Sequence, residues 1–160
     1  MRVRTLLILG ALALLCAACT HSVAGQEDST RDFSFDIVQK VDPPIVGGAT
    51  RIDVPFEITI GNKTDAPVTV NRIAVQSMEV GDYQIPYRPR NFERVIPPGG
   101  KEKFEFWANA IVTDPILGTR APLTLRSMVD FDVPGGKRHE VFIRGINGRV
   151  GFGVARPIGE

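Results

Sequence analysis

Apolar and polar residues alternate with a period of two along most of the chain beyond residue 32. Phe33, Phe35 and Ile37 interleave with Ser34 and Asp36, and Ile52, Val54, Phe56, Ile58 and Ile60 with Asp53, Pro55, Glu57 and Thr59. Leu123, Leu125, Val129, Phe131 and Val133 share one parity, with Ser127 as the polar member. Successive side chains of a strand point to opposite faces, so each run predicts a strand with one buried and one wetted face. No stretch of similar length has the i, i+3, i+4, i+7 spacing of a helix. The pattern predicts an all-β protein.

Further strands complete the set. Val68 and Val70 have opposite parity to Ile73 and Val75, which predicts a bulge near Asn71 and Arg72. Residues 103–110 set Phe104, Phe106 and Ala108 inward and Trp107 outward, and Val141 and Ile143 mark a late strand. Shorter strands are expected at 83–85 and 92–96. Pro-Gly-Gly-Lys occurs at 98–101 and again at 134–137, where Pro sets φ and the next Gly supplies the positive φ of a type II turn. Asn147-Gly148 predicts a type I′ hairpin between 141–146 and 149–154. Pro55, inside the best strand, predicts a local edge that is unpaired or bulged. About eight short strands without helices predict an immunoglobulin-like antiparallel β-sandwich over residues 32–156. Its core is expected to hold Phe56, Phe104, Phe106, Leu125 and Phe131, and Ser127 packs inward as a small residue.

The beginning of the chain is different. Arg2 and Arg4 precede 13 apolar or small residues, 6–18. A membrane span needs about 20, so the run reads as the hydrophobic part of an export signal. Leu15-Cys16-Ala17-Ala18-Cys19 resembles a bacterial lipobox. The resemblance implies a signal peptide of 1–18, cleavage before Cys19 and attachment of lipid, palmitate among it, to that residue. Thr20 after the cysteine resembles the pattern of outer-membrane lipoproteins. The alternative is cleavage after Ala24, at Ser22-Val23-Ala24, which would give a soluble periplasmic or secreted protein. Residues 19–31 are polar and aperiodic, and are expected to form a tether.

Composition narrows the function classes. The 160 residues carry 19 basic and 18 acidic side chains. That balance lacks the basic excess of a nucleic-acid binder, so no nucleic-acid partner is expected. Both cysteines lie at 16 and 19, so the folded domain has no internal disulfide. His21 and His139 are the two histidines. They are too few for a metal centre or a hydrolase triad, and no cofactor is expected. His139 is expected to pair with Asp130 or Asp132 across a hairpin. Asn62-Lys63-Thr64 matches a glycosylation sequon, and chance accounts for it.

Residues 58–70, ITIGNKTDAPVTV, with IPPGG at 96–100, are similar to immunoglobulin-like modules of exported bacterial proteins. More distantly they resemble late-embryogenesis-abundant type 2 sandwiches. The lack of an assembled catalytic or metal constellation, together with a rigid sandwich scaffold and an aromatic-basic loop, predicts a non-catalytic binding or assembly module of the cell envelope. The second resemblance implies a stress-protective structural protein, and an envelope hydrolase is the remaining alternative. The stretch with binding character is 83–94, YQIPYRPRNFER. Tyr83, Tyr87, Phe92, Arg88, Arg90 and Arg94 form the candidate binding loop, because aromatic and Arg side chains dominate interface hot spots. The expected partners are the membrane, through lipid on Cys19, and an envelope protein or surface polymer.

Overall fold

The computed structural model describes residues 28–45, 50–113, 123–148 and 150–152. Cys19, the leader and His21 lie outside the described residues, as do Ala24 and most of the expected tether. The strands are β1 (Asp28–Ser29), β2 (Phe33–Gln39), β3 (Pro44–Ile45), β4 (Arg51–Asn62), β5 (Val68–Ser77), β6 (Tyr83–Gln84), β7 (Arg88–Ile96), β8 (Lys101–Val112), β9 (Leu123–Val133), β10 (Gly136–Ile146) and β11 (Gly151–Phe152). No helix occurs among the described residues.

One sheet has the strand order β1-β2-β4-β8-β6 and the other β10-β9-β5-β7. Every neighbour in both is antiparallel. The chain changes sheet at every step from β4 to β9, with β4, β6 and β8 in the first sheet and β5, β7 and β9 in the second. The inward residues of both sheets form one apolar core, so the architecture is an immunoglobulin-like β-sandwich. Phe33 of β2 stacks on Phe131 of β9 with ring centroids 4.2 Å apart, and Phe35 stacks on Phe142 of β10 at 4.6 Å. Phe56, Phe104, Phe106, Leu125 and Phe131 are all buried, as the alternation predicts.

Local chemistry explains the irregularities. Asn71 is the extra residue of β5 against β9, and Phe92 and Glu93 together oppose it on β7. Glu93 takes φ 54° there. Pro55 accepts a hydrogen bond from Lys40 N at 2.9 Å but has no N–H to return, and the β2–β4 ladder ends just before it, at Gln39 and Phe56. Gly99 (φ 66°) and Gly135 (φ 97°) occupy the expected positive-φ turn positions.

Two expectations are corrected. Asn147 does not take the positive φ that a type I′ turn requires, and β11 pairs in parallel with β3 instead of folding back on β10. The pairing surface available to residue 151 comes from a distant part of the chain, and a local turn signal cannot anticipate it. The polar stretch 19–31 is not all tether. β1 adds to the edge of β2, and Thr30 Oγ1 accepts a hydrogen bond from Phe33 N at 3.1 Å.

Candidate functional site

The segment expected to be a binding loop is built into the sandwich. Tyr83 on β6 is fully buried in the core, so it leaves the set of surface contacts. Its hydroxyl donates to Gln39 Oε1 at 2.6 Å, and burial, with Asp82 and Asp42 adding to it, pushes the phenol pKa up. After β6 the chain moves to the other sheet. Ser77 N donates to Ile85 O and Ile85 N to Ser77 Oγ, both at 3.0 Å, which attaches the chain to β5.

From Arg88 onward the segment is β7, the edge strand of the four-stranded sheet. The bulge keeps Arg88, Arg90, Phe92 and Arg94 on its inner side, facing β8 of the other sheet. Arg88 is opposite Val75, Arg90 opposite Ile73 and Arg94 opposite Val70, all buried partners. Arg90 Nη2 donates to the backbone carbonyl of Trp107 at 3.0 Å. Phe92 meets Phe104 edge-on at 5.1 Å, and Arg94 pairs with Glu102. These contacts lace the β7–β8 flank of the sandwich.

Not all of the segment is spent this way. Tyr87 is 47% exposed, Trp107 is 51% exposed, and Arg88 Nε is enclosed without a hydrogen-bond acceptor among the described residues. An enclosed guanidinium donor with no acceptor is costly. This one belongs to the first residue of β7, and the half-exposed Tyr87 precedes it in the chain.

The opposite flank is laced in the same manner. Arg144 on β10 is buried and donates from Nη2 to Phe35 O on β2 at 2.9 Å. Arg138 pairs with Asp32 and Glu140 and lies 5.2 Å above the Phe33 ring. Asp32, then Glu140, holds its guanidinium more firmly protonated than usual.

On the outer face of the four-stranded sheet, Asp130 accepts from Arg72 Nε at 2.7 Å and from Nη2 at 2.6 Å, and faces His139 Nδ1 directly across the hairpin. The His139 contact, aided by Arg72, lowers the Asp130 pKa. The histidine is therefore in a hydrogen-bonded network with Asp130 and Arg72 on an open sheet face, paired across the hairpin as the spacing predicts. No group of three or more metal-ligating side chains occurs among the described residues.

Asn62 is a residue whose role sequence reasoning missed. Its side chain is buried, and Nδ2 donates to Ala66 O at 2.8 Å, Ile96 O at 3.1 Å and Pro97 O at 3.2 Å. Oδ1 accepts from Thr64 N at 3.0 Å and Thr64 Oγ1 at 2.7 Å. The apparent sequon is a staple between two turns. A signal was present: an Asx turn motif at a strand end, followed by a turn of Thr-Asp-Ala-Pro.

No family model matches this chain, and no curated protein matches it. Solved structures do. A Northeast Structural Genomics Consortium target is similar at TM-score 0.55 and 8% identity, over 77% of this chain and 90% of that one. The yeast GGA1 GAE domain is similar at TM-score 0.45 and 9% identity, over 74% and 94%. An uncharacterized β-sandwich protein from Clostridium difficile is similar at TM-score 0.34 and 12% identity, over 74% and 90%. At such identities only the first speaks to more than general resemblance, and it speaks to the fold alone. The chain is an all-β sandwich protein; fold does not carry function.

Proposed function

We propose that this chain is a bacterial envelope lipoprotein, anchored through Cys19 on the periplasmic side of the outer membrane, whose sandwich acts as a non-catalytic binding or assembly module. The observation that carries the binding role is the β7–β8 flank. There Arg88, the first residue of β7, has Nε enclosed without an acceptor among the described residues, and Tyr87, which precedes the strand, is exposed. A shift of the half-buried Arg88 side chain would bring its guanidinium to a partner's carboxylate or carbonyl oxygen beside the exposed Tyr87 ring, the residue types usual at an interface hot spot. Arg90, already engaged with Trp107 O, holds the flank in shape and lowers the cost of ordering on binding.

Two measurements test this reading. Labelled palmitate should enter the wild-type chain and be lost, with membrane association, in Cys19→Ala. Cross-linking in whole cells should capture an envelope partner with the wild-type chain and lose it in Tyr87→Ala/Arg88→Ala. An unlabelled wild-type chain removes the anchor, and a cross-link pattern unchanged by the double variant removes the flank.

A further inference from the structure

The two outer faces of the sandwich differ in chemistry. The face of the five-stranded sheet holds Glu57 between Lys40 and Lys103, with the exposed Trp107 and Val38 interspersed among the charges. On the face of the four-stranded sheet the registers place Val141, Met128, Ala74 and Pro89 side by side, one from each of β10, β9, β5 and β7. This apolar row crosses the whole sheet. Val141 is 39% exposed, Met128 is partly exposed and Pro89 is exposed, while the small Ala74 is covered by its neighbours at 2%. One step along the strands lies the row His139, Asp130, Arg72 and Asn91; one step the other way lies the row Ile143, Arg126 and Gln76.

The charges on β9 are arranged antisymmetrically about Met128. Asp130 is two residues to one side. Arg126, exposed and without an ion-pair partner among the described residues, is two residues to the other. A two-fold axis lying along the apolar row reverses the strand direction. It superposes Met128 on Met128 of a second copy, and sets each Arg126 over the other copy's Asp130. Such a surface is complementary to itself, which is the requirement for an isologous interface.

We infer that the outer face of the four-stranded sheet is a homodimer interface, centred on Met128 and oriented by two reciprocal Arg126–Asp130 contacts. Strands about 4.8 Å apart and nine residues at about 3.4 Å each give a face of about 500 Å² per copy. The total, about 1,000 Å², is at the low end for a specific interface, so the association is weak and concentration-dependent. This inference is independent of the lipid anchor and of the β7–β8 flank.

Sedimentation velocity of the purified full chain over a range of concentrations tests it. The wild-type chain should shift from monomer towards dimer as concentration rises. Arg126→Asp and Asp130→Arg should each weaken the dimer by at least about tenfold, because two attractive contacts become repulsive. Mixing the two variants should restore association, since both contacts of the mixed dimer then pair opposite charges; misfolding of either variant would not give that result. Circular dichroism of each variant confirms the fold before mixing. A wild-type chain that stays monomeric throughout, or a mixture no tighter than its components, overturns the proposal. So does a Met128→Glu variant that dimerises as well as the wild type. Capture of a different protein on this face by a monomeric chain would also overturn it.

Discussion

The buried guanidinium of Arg144 on β10 donates to the carbonyl oxygen of Phe35 on β2 at 2.9 Å, joining the two sheets at one flank. Arg90 makes the same kind of bond to Trp107 O across the other flank, but from an exposed position. Both arginines belong to edge strands of the four-stranded sheet, and both cover a backbone group on the facing sheet. Edge strands carry unpaired backbone groups, and an inward-turned charged side chain is one way of shielding them.

Burial decides how much each contributes. Arg144→Ala should cost about 2–3 kcal/mol, because a charge-assisted bond is lost in a dry setting together with the packing of the arginine stem. Arg90→Ala should cost under about 1 kcal/mol, because water replaces the guanidinium at an exposed carbonyl. Urea unfolding of the two variants checks the difference, and equal losses would contradict the argument from burial.

Asn62 holds the turn after β4 against the turn before β8. Asn62→Ala removes three donated and two accepted hydrogen bonds and takes a donor from the buried Ile96 carbonyl. The expected cost is about 3 kcal/mol. Lys63→Ala, at an exposed neighbour, should leave the urea midpoint nearly unchanged and is the internal control.

Ser127 runs the opposite way. Its side chain is fully buried between Phe142 and Val75, and Oγ has no hydrogen-bond partner among the described residues. Ser127→Ala deletes a desolvated hydroxyl with little change of volume, so it should be neutral or stabilising by up to about 1 kcal/mol. Thermal unfolding measures the sign. A clear loss of stability would mean that the hydroxyl has a partner.

The Asp130 network confers a pH dependence. Its folded pKa is depressed, first by His139 and then by Arg72. Its contribution to stability is therefore present above the unfolded value of about 4 and disappears as pH falls through the lower folded value. Asp130→Asn should be less stable than wild type by about 0.5–1 kcal/mol near neutrality, and the gap should close in acid. Paired urea titrations at several pH values check this. A gap that widened on acidification would reverse the assigned sign.

Most of the strands, the Asn71 bulge and the Pro-Gly turns were legible along the chain because each rests on near neighbours: side-chain parity, a fixed proline φ, a glycine at positive φ. The late strand was less legible. Val141, Phe142 and Ile143 are consecutive apolar residues, so parity there does not say which side is inward, and packing on Phe35 turns Phe142 in. Similarly, YQIPYRPRNFER reads as a basic aromatic loop, yet the bulge opposite Asn71 turns its arginines towards β8, where Trp107 O and Glu102 take up two of them. Alternation along a strand is a local property, and it specified the all-β class and most of the core from residue order. Which strands became neighbours, which flank each arginine closes and which face keeps an apolar row depend on residues scores of positions apart. Those partners meet only after the sheets have stacked, so nothing local in the chain encodes them.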